Sequence, residues 1–168
     1  IYTVRKATQG LANYLNKKTS HASVAIAYDS RIKSDVFAKA AAEVLAANGI
    51  TAHLYPQLMP TPALSFAVRH LKCDAGICIT ASHNPAKYNG YKAYGSDGCQ
   101  VALEMADAIL DEINRLDIFR DVKHMDYDAA VEQGSIKAIG EDVVIAFLNA
   151  VKSQSILDCS DSDLKVVY

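Results

Sequence analysis

The chain has 168 residues, 51% of them hydrophobic and 21% charged, and this globular composition excludes a disordered or collagen-like protein. Its 17 Lys and Arg against 19 Asp and Glu give a net charge of −2, which argues against a non-specific nucleic-acid binder because such proteins need a basic face. No apolar run approaches the roughly 20 residues of a membrane span and the start is too polar for a signal peptide, so we expect a cytoplasmic protein without membrane contact.

The first part of the chain alternates between helix and strand patterns. Apolar residues at helical spacing predict a helix over Tyr2–Asn16, and the short apolar run Ser23–Tyr28 predicts a buried strand. A second helix is expected to begin with Ser34 as its N-cap and to end at Asn48 and Gly49. Its predicted apolar stripe is Val36, Phe37, Ala40, Ala41, Val44 and Leu45.

The middle of the chain predicts three strands and one helix. Residues 50–55 form the first of these strands, and Thr61 is expected to cap a helix that runs to about Leu71. Residues 75–80, apolar almost throughout, predict a strand at the centre of the sheet. The polar loop that follows this strand ends in an Asn-Gly turn signal at 89–90, so residues 91–94 are expected to return as a short antiparallel strand.

In the last part of the chain, the apolar spacing from residue 103 to residue 113 predicts one helix, and residues 142–151 predict another. Residues 117–137 carry mixed signals and are expected to be irregular. The apolar positions expected to be buried in these two helices are Leu103, Ala106, Ile109, Leu110 and Ile113, then Val143, Val144, Phe147, Leu148 and Val151.

The alternation of strands and helices predicts an α/β fold, a three-layer α/β/α sandwich with a mixed, mostly parallel sheet. We expect residues 1–160 to form one domain. Residues 163–168 open a strand-like pattern that stops without a turn, which indicates a piece of a longer protein, and we expect residues 161–168 to be the truncated start of its second domain.

Two polar clusters follow predicted strands, and in open α/β sheets ligands bind beyond the carboxyl ends of strands. The first cluster is residues 29–31, Asp-Ser-Arg, and the second is the polar loop over residues 81–90, here called the Ser82 loop. A serine hydroxyl near cationic and amide donors suits phosphoryl transfer, which depends on positioning and charge neutralisation. The same residue types are common in turns, so the residues alone also allow an ordinary turn.

Other kinds of site fit the residues less well. Thr80 and Asn84 stand where a serine-hydrolase elbow around Ser82 would need glycines. Asp29 could be a phospho-accepting aspartate of a receiver domain, although Asp is also a common turn residue. The chain has no Gly-rich phosphate loop with Lys and Ser or Thr, and its four cysteines lack zinc-ligand spacing, so we expect reduced thiols.

The run Thr-Ala-Ser-His-Asn-Pro at 80–85, followed by Tyr-Asn-Gly-Tyr-Lys at 88–92, resembles the phosphoserine signature of the phosphoglucomutase/phosphomannomutase (α-D-phosphohexomutase) family. Residues 28–31 and 60–62 support the resemblance, and residues 91–95 and 97–100 look closest to the phosphoglucomutase-like members. The resemblance covers essentially the whole chain, as the first of the family's four domains, the one that carries the catalytic serine.

The resemblance implies that Ser82 carries a phosphoryl group, gives it to a hexose phosphate, and regains the other phosphate from the bisphosphorylated sugar. It implies that Lys92 transfers a proton or stabilises charge beside Ser82, and that His83 orients the reacting groups. We assign positioning of the substrate or of the loop to Asn84, Arg31 and Lys87.

The resemblance also implies partners that lie outside this chain. The expected metal is Mg²⁺, held by a phosphate on Ser82 and by ligands elsewhere, and a sugar bisphosphate acts as activator. The expected reaction interconverts glucose 1-phosphate and glucose 6-phosphate, or mannose phosphates, and needs the remaining domains of the same polypeptide, so the isolated domain should be inactive. The alternative is a non-catalytic phosphosugar-binding module; the presence of Ser82, His83 and Lys92 together favours the enzyme.

Overall fold

The computed structural model describes residues 1–156 together with Lys165 and Val167. The predicted start of a second domain at 161–168 lies almost entirely outside the described residues, so the domain boundary stays a prediction. The elements in chain order are α1 (Tyr2–Asn16), β1 (Ser23–Tyr28), α2 (Ser34–Ala47), β2 (Thr51–Leu54), α3 (Thr61–His70), β3 (Ala75–Ile79), β4 (Tyr91–Gly95), α4 (Leu103–Asn114), α5 (Tyr127–Glu132), β5 (Ile136–Ala138) and α6 (Glu141–Lys152).

The five strands form one mixed sheet in the order β4-β3-β1-β2-β5, parallel except for β4, which runs antiparallel to β3. Helices α1, α2, α4 and α5 contribute to the apolar core on one face, and α3 and α6 to the core on the other. The predicted α/β/α sandwich is therefore confirmed. The β3 strand is buried along its whole length as predicted, but the middle of the sheet is occupied by β1.

The strand register sets the position of the loops. Tyr28 at the end of β1 pairs with Ile79 at the end of β3, so the chain leaves both strands at the same edge of the sheet. On the other side of β3, Cys78 pairs with Lys92 of β4, which brings the returning strand back past the same edge. The parallel and antiparallel neighbours of β3 therefore place three segments around one point.

Two predicted helix caps were wrong. Lys33, in a left-handed conformation with φ of 62°, precedes α2, whereas Ser34 is its first helical residue and is fully buried. Pro60 is the N-cap of α3, and Thr61 is its first helical residue. Ser34 does not cap because its hydroxyl is turned toward other polar side chains, as described below for the candidate site.

The predicted apolar stripes were only partly right. In α4 and α6, Ile109 and Val143 are buried as predicted. The side chains predicted to be buried but found exposed are Val36 in α2, Leu103 and Leu110 in α4, and Leu148 and Val151 in α6. Helical periodicity identifies these helices, but it does not reveal how much of each apolar side is covered by the rest of the domain.

The segment predicted to be irregular, 117–137, contains a helix and a strand. Helix α5 is capped by Asp126, whose carboxylate accepts the backbone N–H of Ala129 at 3.0 Å. Strand β5 has only three residues and adds to β2 at the edge of the sheet. Elements this short carry too little periodic signal to be recognised. No helix in the described part of the chain is long and apolar enough to cross a membrane.

Candidate active site

The two polar clusters predicted from the sequence meet at the carboxyl edge of the sheet. The Arg31 guanidinium donates hydrogen bonds to the carbonyl oxygens of Asn84 at 2.6 Å, Pro85 at 3.0 Å and Tyr88 at 3.2 Å, and also to that of Ser82. Its side chain is only 8% exposed, although the loop that it holds is exposed. One buried cation therefore fixes the course of most of the Ser82 loop.

The Ser82 backbone has a φ of 54°, in the left-handed region. For a residue with a Cβ this conformation costs about 1–2 kcal/mol, so the surrounding contacts must hold it. The side chain is exposed, and its Oγ accepts a hydrogen bond from Lys92 Nζ at 2.6 Å. A hydroxyl oxygen open to a ligand and in contact with an ammonium group can exchange a phosphoryl group, because the cation offsets negative charge that develops on that oxygen.

Gly90 permits the tight return that brings Lys92 to Ser82. The N–H of Thr80 donates to the carbonyl of Gly90 at 3.0 Å, and a Cβ built on Gly90 would lie only 2.5 Å from the carbonyl oxygen of Thr80. Any larger residue would push the two backbones apart. The Asn-Gly signal in the sequence thus marks a close backbone approach as well as a turn.

Thr80 is a residue that sequence reasoning did not assign to the site. Its hydroxyl donates to Asp29 Oδ2 at 2.6 Å and accepts the backbone N–H of Ser82 at 3.0 Å. It directly follows β3 and is 7% exposed. From the sequence it was predicted only as the last residue of the 75–80 strand and the first residue of the 80–85 motif.

Asp29, in the first polar cluster, is hydrogen-bonded both to its own segment and to Thr80, next to the Ser82 loop. Besides Thr80, it accepts the backbone N–H of Arg31 at 3.1 Å, the Arg31 Nε at 2.9 Å and the Ser34 hydroxyl at 3.0 Å. Burial acts to raise the pKa of Asp29, but hydrogen bonds from Thr80, the Arg31 backbone, Ser34 and the Arg31 side chain outweigh it and lower the pKa below its ordinary value. The ionised carboxylate is occupied by these donors and does not resemble a free phospho-acceptor.

Ser34 and Asn89 tie the start of α2 to the end of the loop. Ser34 Oγ lies 3.0 Å from Asn89 Oδ1 as well as from Asp29, and Asn89 Nδ2 donates to the carbonyl of Ile32 at 2.8 Å. The sequence identified Ser34 only as a cap and Asn89 only as a turn residue. Their side-chain contacts span 55 and 57 positions, a distance that local patterns do not report.

His83, Asn84 and Lys87 project from the exposed part of the Ser82 loop. Within the described residues none of their side chains is hydrogen-bonded to Ser82; Lys87 Nζ lies 5.1 Å from the centre of the Tyr88 ring. Asn84 contributes through its backbone, because its N–H donates to Ala81 at 3.1 Å. The structure therefore brings Arg31 and Lys92 to Ser82, and leaves these three side chains open to solvent and ligands.

The residues present do not form a metal site by themselves. Over the described residues, no three His, Cys, Asp or Glu side chains gather in a way that could hold a metal ion. Asp29 lies under the loop, but its oxygens already accept four hydrogen bonds. Ser82 can offer a ligand only if it carries a phosphate, since a neutral hydroxyl beside Lys92 is a poor magnesium ligand.

Comparison with known proteins identifies the family. The family model "Phosphoglucomutase/phosphomannomutase, alpha/beta/alpha domain I" matches residues 1–118. A phosphoglucomutase of Staphylococcus saprophyticus is 45% identical over 152 residues, which cover 90% of this chain and 28% of the relative. One of Staphylococcus haemolyticus is 39% identical over 171 residues, which cover 99% of this chain and 30% of the relative.

A solved structure shows the same fold. The crystal structure described as "putative phosphomannomutase from Thermus Thermophilus" superposes with a TM-score of 0.77 at 29% identity, covering 95% of this chain and 33% of that one. The chain thus spans about a third or less of the length of these relatives. The resemblance noted in the sequence is confirmed, and the chain belongs to the phosphoglucomutase/phosphomannomutase family as its α/β/α domain I.

Proposed function

We propose that this chain is the serine-bearing domain of a hexose-phosphate mutase that interconverts glucose 1-phosphate and glucose 6-phosphate. The observation that carries the proposal is the 2.6 Å contact between Lys92 and Ser82, on a loop held by the buried Arg31. Phosphoryl transfer needs a fixed nucleophile and a cation at the oxygen where charge changes, and the site supplies both. Glucose is favoured because the two sequence relatives above are phosphoglucomutases; the family model also includes phosphomannomutases, so mannose phosphates are the second sugar class.

In the proposed reaction, phosphorylated Ser82 gives its phosphoryl group to a hydroxyl of the bound hexose phosphate. The bond between phosphorus and Ser82 Oγ breaks and the sugar oxygen forms the new bond; Lys92 gives a proton to the leaving Oγ and takes up the proton that the sugar hydroxyl loses. The bisphosphorylated sugar then reorients within the site, so that its other phosphate faces Ser82. Ser82 attacks that phosphorus and passes its proton to Lys92, the bond between phosphorus and the sugar oxygen breaks, and Lys92 returns a proton to that oxygen as the product hexose phosphate leaves.

The exposed side chains of the Ser82 loop are assigned to the substrate. His83 and Lys87 are free to approach the phosphate and the sugar hydroxyls, because neither is engaged with Ser82 within the described part of the chain. Asn84 fixes the loop through its backbone contact with Ala81 and Arg31. Arg31 is a loop-positioning residue, since its buried guanidinium contacts loop carbonyls and leaves little surface for a ligand.

The whole enzyme needs components that this chain does not supply. A phosphate on Ser82 would carry a charge of about −1.5 to −2, more than the one lysine balances, and Mg²⁺ bound to that phosphate would offset the remainder. The other metal ligands, the site for the non-reacting phosphate and the contacts that select the sugar belong to the remaining domains of the polypeptide. A sugar bisphosphate would phosphorylate Ser82 again whenever Ser82 has lost its phosphate.

We place the enzyme in the cytoplasm, in keeping with the free thiols of Cys73, Cys78 and Cys99.

Mass spectrometry and turnover of the full-length polypeptide test the proposal. After incubation with glucose 1,6-bisphosphate, phosphate is expected on Ser82, and Ser82→Ala is expected to abolish isomerisation of glucose 1-phosphate. Ser96→Ala, an exposed serine beyond β4, is the matched control and should keep full activity. Phosphate on another residue, or full activity in Ser82→Ala, would refute the mechanism. Tight binding of glucose phosphates without any turnover would favour the phosphosugar-binding module instead.

A further inference from the structure

The Ser82 backbone needs something to hold it in its left-handed conformation. Within residues 1–156 only Lys33, Lys72 and Ser82 are non-glycine residues with positive φ. Arg31 binds carbonyl oxygens of the loop, including that of Ser82, but it does not contact the Ser82 N–H. The orientation of the peptide that enters Ser82 is therefore set by a different contact.

That contact is the Thr80 hydroxyl, and chemistry fixes its direction. A backbone N–H can only donate and an ionised carboxylate can only accept, so the Thr80 oxygen must accept from Ser82 at 3.0 Å and give its single hydrogen to Asp29 at 2.6 Å. A hydroxyl between two such partners has no alternative rotamer that keeps both bonds. The bridge therefore transmits the position of Asp29 to the Ser82 amide.

Both ends of the bridge are firmly held. The Thr80 backbone is bonded to Gly90, and Asp29 donates its own N–H to Ile79 at 3.3 Å while accepting from Arg31 and Ser34. Thr80 is nearly inaccessible to solvent, so water does not readily compete for its hydroxyl. The bridge joins the ends of β1 and β3 to the residue whose oxygen contacts Lys92.

We propose that Thr80 is a positioning residue for phosphoryl transfer: bonded to Asp29, it holds the Ser82 amide so that Ser82 Oγ points at Lys92 and the substrate. This inference rests on the proposed function and assigns to it a residue outside the reacting groups. Without the bridge, the loop keeps its shape through Arg31, but the Ser82 peptide can rotate out of the left-handed region. The reacting oxygen then spends less time in line with the phosphate.

Kinetics of three variants of the full-length polypeptide test the inference. Thr80→Val keeps the side-chain shape and removes both bonds, and it is expected to lower kcat at least about tenfold while KM for glucose 1-phosphate stays within about threefold. Thr80→Ser retains the hydroxyl and should restore most of the turnover. Thr51→Val, at the opposite end of the sheet, is the matched control and should behave as wild type. Equal kcat in Thr80→Val and wild type, or a rise in KM alone, would overturn the inference.

Amide exchange in the wild-type protein provides a second test that does not depend on the folding of any variant. The Ser82 amide, bonded to Thr80, should exchange its hydrogen much more slowly than the neighbouring amide of His83 on the same exposed loop. Equal exchange rates would mean that the bridge is not maintained in solution. If Ser82→Ala proves fully active, the proposed function fails while the exchange result still decides whether the bridge exists.

Discussion

Two exposed turns of this domain are held in different ways. In the turn at 117–121, Asp117 accepts the backbone N–H groups of Phe119 at 2.9 Å and Arg120 at 3.0 Å, so its anchors lie within a few residues along the chain. In the Ser82 loop the anchors are Asp29 and Arg31, more than fifty positions away. A local anchor gives a turn its shape, whereas a distant one also fixes its place relative to the sheet. A site that must aim a nucleophile needs the second kind.

Removing Lys92 should produce the largest effect on the proposed reaction. Lys92→Met in the full-length polypeptide is expected to lower kcat by about 10²–10⁴, the usual contribution of a general acid or base, with a much smaller change in KM. Lys123→Met is the matched control, an exposed lysine just beyond the 117–121 turn whose substitution should leave steady-state turnover unchanged. A large rise in KM with kcat preserved would assign Lys92 to binding instead.

Removing the distant anchor should reduce turnover by about 10²-fold. Arg31→Ala deletes the hydrogen bonds to the loop carbonyls and the contact with Asp29, so Ser82 loses its fixed place, and displacement of a reacting group by about 1 Å can cost that much. Arg31→Lys should recover only part of the rate, because one ammonium cannot reproduce the guanidinium's arrangement of donors.

The comparison with the local turn supplies the control for Arg31. Arg120 pairs with Asp117 at 3.3 Å and its side chain is 81% exposed, so Arg120→Ala should leave both turnover and thermal stability close to wild type. Steady-state kinetics and thermal unfolding of both variants measure the difference. Comparable activity in Arg31→Ala and Arg120→Ala would show that distant anchoring has no functional value here.

A side chain at Gly90 should destabilise the domain by about 1–3 kcal/mol, the usual cost of overpacking, because the backbones of Gly90 and Thr80 lie in close contact. In Gly90→Ala the new Cβ would meet the backbone oxygen of Thr80 at 2.5 Å, which cannot move without disturbing the β3–β4 pair. Gly134→Ala is the control, because that glycine has a φ of +74° but open space around it and reports backbone strain alone, about 1–2 kcal/mol. Denaturant unfolding would contradict the steric explanation if Gly90→Ala were no less stable than wild type.

The sequence predicted that residues 29–31 and the Ser82 loop both follow strands at one edge of the sheet, and the structure places Arg31 against that loop. From the Asn-Gly signal it also predicted the antiparallel return of residues 91–94, the strand that carries Lys92. It did not predict the bridge through Thr80 or the contacts of Ser34, since these depend on the pairing of Tyr28 with Ile79. Side-chain hydrogen bonds between distant segments follow from register, which composition and periodicity do not contain.

The prediction from the sequence was also incomplete for the edge strand and for the outer helices of the fold. Strand β5 gains its identity only from pairing with β2, and three residues have no recognisable pattern of their own. The apolar residues of α4 were expected to face the core. Ile109 is buried as expected, but Leu103 is 82% exposed. Propensity and periodicity describe an element alone, whereas burial depends on what the rest of the molecule covers.

The pH dependence of stability should separate the two aspartates that anchor the two turns. Burial acts to raise the pKa of Asp29, but hydrogen bonds led by the one from Thr80 outweigh it and lower the pKa; in Asp117, the backbone N–H groups of Phe119 and Arg120 lower the pKa. A carboxylate with a lowered folded pKa stabilises the fold above its unfolded pKa, near 4, and that stabilisation is lost as the pH falls through the folded value.

Thermal unfolding of Asp29→Asn and Asp117→Asn between pH 7 and pH 2 measures these contributions. In each case the gap in Tm between wild type and variant should stay constant down to about pH 5 and shrink below about pH 4. The shrinkage should be smaller for Asp117, which is open to solvent, and should weaken further in high salt, whereas the partly enclosed Asp29 should resist screening. A gap for Asp29→Asn that does not change across this range would mean that its carboxylate is not held ionised by the donors of the site.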